Sequence, residues 1–164
     1  MIADGRSAAE MQSATTWEVP LRDEAATLAL GKRLAGVLAR GDLLTLRGEL
    51  GAGKTTLSRG ILHALGHHGP VPSPTFTLVQ HYATRGLELA HFDLYRLANR
   101  DEVFELGFED ALHDGVVLVE WPDILGDGVP ADRLAVQLED AGAGRLARLT
   151  GFGSWGARLR VLRD

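Results

Sequence analysis

"GELGAGKTT", Gly48 to Thr56, places three glycines directly ahead of a run that favours a helix. Glycine inside a helix costs about 1 kcal/mol relative to alanine. A domain that gathers glycines here needs a backbone path that other residues cannot follow. The flanks say which path. "DLLTLRG" (Asp42 to Gly48) reads as a buried strand. "KTTLSRGILHALG" (Lys54 to Gly66) reads as a helix with Leu57, Ile61, Leu62 and Leu65 toward the core and Gly66 as its C-terminal cap. Strand, glycine turn and helix are the setting that the pattern G-x-x-x-x-G-K-[ST] requires, and "GELGAGKT" matches it.

The chemistry follows from that geometry. Glycines let backbone N–H groups turn inward around a phosphate chain, and the helix N-terminus adds the positive end of its dipole. Lys54 would reach the β- and γ-phosphates, the Thr55 hydroxyl would ligate Mg²⁺, and Thr56 could reach an inner phosphate. The phosphate-binding segment is taken to run through Gly51, Ala52, Gly53, Lys54, Thr55, Thr56, Leu57 and Ser58. The chain has fifteen arginines but only two lysines, Lys32 and Lys54, so a lysine inside a motif carries weight.

The 164 residues suit one domain with a sizeable core. There are no cysteines, which excludes disulfides and thiolate metal sites and allows a reducing compartment. No run is long and apolar enough for a membrane span, and "MIADGRSAAEMQSATT" lacks the apolar stretch of a secretory signal. A cytoplasmic location without membrane contact is expected. Residues 1–16 read as a disordered leader and residues 17–164 as the single folded domain. A net charge of -5 argues against gripping nucleic acid by the whole surface.

Outward from the glycine turn, "TWEVPL" (Thr16 to Leu21) alternates as a short strand, and "DEAATLALGKRLAGVLARG" reads as a helix ending at Gly41. Its apolar face would hold Leu28, Leu30, Leu34, Val37 and Leu38. "TLVQHYAT" and "LELAHFDLYR" form a hairpin about Arg85 and Gly86. "NRDEVFELGFEDALHDG" gives two helical pieces broken at Gly107. "VVLVEW" (Val116 to Trp121) is a buried strand, "RLAVQLED" and "GRLARLTGF" a second hairpin, and "SWGARLRVLRD" a final helix. The expected fold class is α/β: a P-loop NTPase with a mixed parallel and antiparallel sheet flanked by helices.

A P-loop needs a second metal ligand, and two carboxylates end strands. Four apolar residues precede Glu120, as in a central strand, so Glu120 is assigned to the Mg²⁺ shell. Asp93 is assigned a catalytic or water-positioning role. "SPTF" (Ser73 to Phe76) lies where P-loop switch proteins sense the γ-phosphate, and Thr75 is its natural contact. His63 and His67 have a metal-ligand spacing, but Gly66 should end the helix between them. His91 alternates with Asp93 on one strand face, for packing or a hydrogen bond.

Taken together, "LRGELGAGKTTLSRGILHALG", "SPTFTLVQHY", "HFDLYRL" and "LVEWPD", in that order, closely resemble the bacterial TsaE family over roughly Glu18 to Phe152. The resemblance implies an ATPase that supports formation of threonylcarbamoyladenosine in tRNA, with ATP/ADP and Mg²⁺ as cofactors. It implies the TsaB–TsaD heterodimer as partner, tRNA being met only through that complex. TsaD, not this chain, would transfer the threonylcarbamoyl group, and ATP hydrolysis would reset the complex between turnovers. It also implies that Lys54, Thr55 and Thr56 serve phosphate and metal, Glu120 the metal, and Asp93 hydrolysis. Glu24 and Arg145 match positions that contact the nucleotide away from its phosphates, and Trp121 matches a tryptophan near the active site.

The competing reading is a small-molecule kinase with a P-loop, in which Arg96 and Arg100 would sit on a lid. A GTPase lacks support because no Asn-Lys-x-Asp motif follows Glu120. A direct RNA-binding module conflicts with the acidic balance and lacks an aromatic-basic stripe.

Overall fold

A computed structural model describes residues 14–49, 51–74 and 77–164. The expectations for residues 1–13 and for Thr75 therefore lie outside the described residues. Among the described residues no helix is long and apolar enough to cross a membrane.

The chain runs β1 (Thr15–Leu21), α1 (Glu24–Ala35), β2 (Leu43–Arg47), α2 (Lys54–Ala64), β3 (Val79–Ala83) and β4 (Glu88–Asp93). It continues through α3 (Arg100–Glu105), α4 (Phe108–Asp114), β5 (Val116–Glu120), a 3-10 helix (Pro122–Gly128), β6 (Arg133–Ala141), β7 (Gly144–Phe152) and α5 (Trp155–Arg163). The strands form one sheet in the order β1-β7-β6-β2-β5-β4-β3. β2 lies parallel to both β5 and β6, and β4 lies parallel to β5. The hairpins β3–β4 and β6–β7, and the edge pair β1–β7, are antiparallel. This is the mixed sheet expected of the sequence, and it has helices on both faces.

Strand alternation builds those two faces. Leu44 and Leu46 of β2 and Val116 and Leu118 of β5 point to the face covered by α1, α2 and α5, where Leu30, Leu34, Leu57, Ile61, Trp155 and Leu159 meet them. Leu43, Val117 and Val119 point the other way, onto Phe92, Val103, Phe108 and Leu125. Both strands are buried on both faces, hence their unbroken apolar runs. The break at Gly107 is where expected: its φ of 86° ends α3 and caps the start of α4.

Two boundaries differ from the sequence reading. β1 starts at Thr15, so Thr15 and Thr16 belong to the sheet, paired with Gly151 and Thr150 of β7. α1 stops at Ala35 instead of running to Gly41. Asp42 causes this: its carboxylate accepts from the Ala39 N–H at 2.7 Å and from both Arg158 nitrogens at 2.7 Å. Arg158 also donates to the Val37 carbonyl at 3.0 Å. A bidentate charged pair fixes residues 37–42 as a turn against their helical pattern. The 3-10 helix after Trp121 had no counterpart in the sequence reading, because Pro122 and two glycines mark only a loop.

α1 and α2 touch through glycines. A Cβ on Gly31 would stand 2.7 Å from the Leu57 carbonyl oxygen, and one on Gly60 would stand 2.6 Å from that of Leu28. Both obstacles are backbone, so the helices would have to separate. Gly31→Ala and Gly60→Ala should each destabilise the fold by about 1–3 kcal/mol despite alanine's better helix propensity. Denaturant unfolding measures this, and unchanged midpoints would contradict the close helix contact.

Candidate functional site

β2 delivers the chain to Gly48 at the C-terminal end of the parallel strands, and α2 leaves from Gly53. Gly53 has φ 102°, the left-handed conformation that turns the backbone into the helix. Lys54 begins α2 and is only 5% exposed. Its Nζ donates to the Gly48 carbonyl at 2.5 Å, lies 4.0 Å from Glu120 Oε1, and sits 4.1 Å from the centre of the Trp121 ring.

The carboxylates arrive by strand register. β4 and β5 pair Asp93 with Glu120, so the two side chains project side by side toward α2. Both are 3% exposed. Asp93 Oδ1 accepts the Tyr95 N–H at 3.0 Å, and Glu120 Oε2 lies 2.7 Å from His91 Nε2. Trp121 follows Glu120 with φ 56°, a positive value rare for a bulky residue, and its ring packs against Tyr95 at 5.0 Å. That conformation turns the indole back over Lys54. Strain of this kind costs about 1–3 kcal/mol and gathers at functional sites.

Two clefts meet on the glycine turn. One, of about 240 Å³, is walled by Glu24 and Thr27 of α1, Thr56 of α2, Gly51–Gly53, and Gly144 and Arg145 of β7. The other, of about 480 Å³, holds Arg47, Glu49, Trp121, Asp123 and again Arg145. Arg145 stands between them. It donates to the Gly51 and Ala52 carbonyls at 2.9 and 3.2 Å and pairs with Asp140 at 3.0 Å. The structure thus brings Glu24 and Arg145, far apart in sequence, to one cleft beside the glycine turn. The β1–β7 pairing does this, since Leu21 is registered against Arg145.

Thr55 and Thr56 lie half-buried on the first turn of α2. The Leu57 and Ser58 side chains turn inward. Leu57 is fully buried in the core and its N–H bonds the Gly53 carbonyl, while the buried Ser58 hydroxyl donates to the Lys54 carbonyl. Helix periodicity turns both inward. His67 packs on Tyr82 and bonds the Pro70 carbonyl, away from a shared face with His63. Arg100, the imagined lid residue, is tied to Asp127 at 2.6 Å. Sequence reasoning left open the partner of His91; the alternation with Asp93 was the only signal for its face.

The donors present fit Mg²⁺. They are hard oxygens, the Glu120 carboxylate and the Thr55 hydroxyl, and they are few. Among the described residues no group of three or more histidines and carboxylates could hold a metal alone. Mg²⁺ binds in this way, through one or two protein oxygens together with substrate phosphates.

Burial pushes the Lys54 ammonium below its ordinary value of 10.5, and the attraction of Glu120, Asp93 and Glu49 only partly offsets it. The free chain therefore releases this proton at lower pH than an exposed lysine. Phosphates favour the charged form, so a phosphate bound at Lys54 would raise the value again and take up protons. Calorimetry of Mg-ATP binding over a pH series, in buffers of different ionisation heat, should show proton uptake that grows as the pH rises into the lowered range of Lys54. No uptake anywhere in the series up to 10.5 would contradict contact between Lys54 and the phosphates.

The comparisons agree with this geometry. The family model for threonylcarbamoyl adenosine biosynthesis protein TsaE matches residues 21–148. The tRNA threonylcarbamoyladenosine biosynthesis protein TsaE of Rickettsia felis is 42% identical over 120 residues, covering 73% of this chain and 70% of the relative. That of Haemophilus influenzae is 42% identical over 125 residues, covering 73% and 77%. The crystal structure of YdiB from Bacillus subtilis superposes with a TM-score of 0.72 at 32% identity, over 91% of this chain and 90% of that one. With a P-loop, paired carboxylates and these relatives in agreement, the chain belongs to the TsaE family of threonylcarbamoyladenosine biosynthesis proteins.

Proposed function

We propose that this chain binds Mg-ATP at the turn before α2, hydrolyses it, and so drives the TsaB–TsaD heterodimer through its cycle of tRNA modification. One observation carries the reading: Lys54, at the N-terminus of α2, is buried beside two carboxylates that strand register sets side by side. A positive helix end next to a buried lysine suits a polyphosphate, and the carboxylates suit its metal and its attacking water.

The residues divide the work. Backbone N–H groups of Gly51–Gly53 cradle the phosphates, and Lys54 exchanges the Gly48 carbonyl for them. Thr55 and Glu120 would hold Mg²⁺, which when bound neutralises charge on the β- and γ-phosphates. Asp93, held by the Tyr95 N–H, orients a water whose oxygen bonds the γ-phosphorus as the bond to the ADP oxygen breaks. Glu24 and Arg145 line the cleft that would take the nucleoside end, and Thr56 the inner phosphate.

The switch element is "SPTF", with Thr75 as its proposed γ-phosphate contact. Its flank supports the idea. The Leu78 N–H bonds the Pro74 carbonyl at 2.7 Å, and the Leu78 carbonyl accepts the Asp93 N–H at 2.9 Å. Leu78 has a positive φ of 67°, so this tether to the Asp93 backbone is a strained one. Loss of the γ-phosphate can then move the loop, and TsaB–TsaD would read the movement. A tenfold preference for one state needs only about 1.4 kcal/mol.

Three variants test the site. Lys54→Ala should lose Mg-ATP binding, and Glu120→Ala should weaken only its Mg²⁺-dependent part. Asp93→Ala should still bind but hydrolyse about 100-fold more slowly or worse. Calorimetry and phosphate release with TsaB–TsaD present read all three. The reverse pattern for the two carboxylates would swap their roles, and phosphate passed to a metabolite instead of water would favour a kinase.

A further inference from the structure

We infer that His91 is a positioning residue for Glu120: its Nε2–H holds one carboxylate oxygen, leaving the other for Mg²⁺. The inference rests on the reading of Glu120 as a metal ligand. His91 is completely buried, and its Nε2 lies 2.7 Å from Glu120 Oε2. Among the described residues its buried Nδ1 has no hydrogen-bond partner. A carboxylate oxygen can only accept, so Nε2 carries a proton.

This is a costly way to fill a core position. On the same face it stands among the apolar Leu89, Val116 and Leu118 and the polar Gln80, Asp93 and Glu120, and leucine there would leave no nitrogen unpaired. The contact with Glu120 is what a leucine could not make. Register explains the reach: β4 pairs His91 with Leu118 and Asp93 with Glu120, so His91 and Glu120 are diagonal neighbours under α2.

The other Glu120 oxygen, Oε1, stays 4.0 Å from Lys54 Nζ, at the outer limit of an ion pair. With Oε2 held by His91, the carboxylate does not close on the ammonium. Without that hold, rotation about the side chain would make a direct Lys54–Glu120 pair. Such a pair would tie up the metal ligand and the phosphate-binding charge together. Hydrogen bonds to a ligating carboxylate generally matter about as much as a 10–100-fold change in metal affinity.

The test is a Mg²⁺ titration of ATP binding, read by calorimetry without turnover, on purified full-length protein. His91→Leu should raise the Mg²⁺ concentration for half-maximal tightening by about tenfold or more. His91→Gln, whose amide nitrogen can reach the place of Nε2, should return it most of the way. In a Glu120→Ala background, His91→Leu should add nothing, because its partner is already gone. An unchanged Mg²⁺ midpoint in His91→Leu, or an equal loss in the Glu120→Ala background, would overturn the inference. If Glu120→Ala itself leaves the Mg²⁺ response intact, the metal-ligand reading falls and the inference with it. Should leucine at 91 not fold, ring ¹⁵N NMR of the unaltered chain decides. A proton on Nε2 supports the inference, and a bare Nε2 overturns it.

Discussion

A buried ammonium at the start of a helix is the constraint on which this molecule turns. Lys54 sits at the positive end of α2, out of water, which no lysine favours by itself. The fold tolerates it through the Gly48 carbonyl, the Trp121 ring face and the fields of Glu120, Asp93 and Glu49. These partners do not fully offset the desolvation, so Lys54 remains poised for a stronger anion. The same cost that weakens the free protein would make a polyphosphate a good ligand, as proposed above.

Holding that charge takes most of the architecture. β2 and β5 must be central and parallel to bring Gly48 and Glu120 to one end of the sheet. β4 must pair in register with β5 to set Asp93 beside Glu120. The α1–α2 glycine contact seats the helix that carries Lys54 against its neighbour. β7 sends Arg145 across to grip the carbonyls of the glycine turn. Trp121 and Leu78, the non-glycine residues with positive φ among those described, both adjoin the carboxylates. Local strain therefore concentrates where a ligand would relieve or use it.

Much of this was legible in the residues. The glycine turn, its flanking strand and helix, the buried run before Glu120 and the break at Gly107 each follow from local chemistry. What stayed hidden depends on pairing across the sheet. The His91–Glu120 contact needs the β4–β5 register, which "HFD" and "VEW" do not encode separately. The early end of α1 needs Arg158, over a hundred residues away, to seize Asp42 and override an apolar pattern that continues through Val37 and Leu38. Helix period turns the Leu57 and Ser58 side chains into the core, so only their backbone faces the glycine turn's end of α2. Glu24 and Arg145 came from resemblance alone, and only the β1–β7 pairing gives a physical reason for their shared cleft.

The central claim is that Lys54 waits on the Gly48 carbonyl for a nucleotide phosphate. A crystal structure of the chain with Mg²⁺ and a non-hydrolysable ATP analogue tests it most directly. The account predicts Lys54 Nζ released from Gly48 and bound to the β- and γ-phosphates, with Mg²⁺ between those phosphates, Thr55 and Glu120. A nucleotide seated elsewhere, or a Lys54 still bonded to the Gly48 carbonyl beside a bound nucleotide, would contradict it.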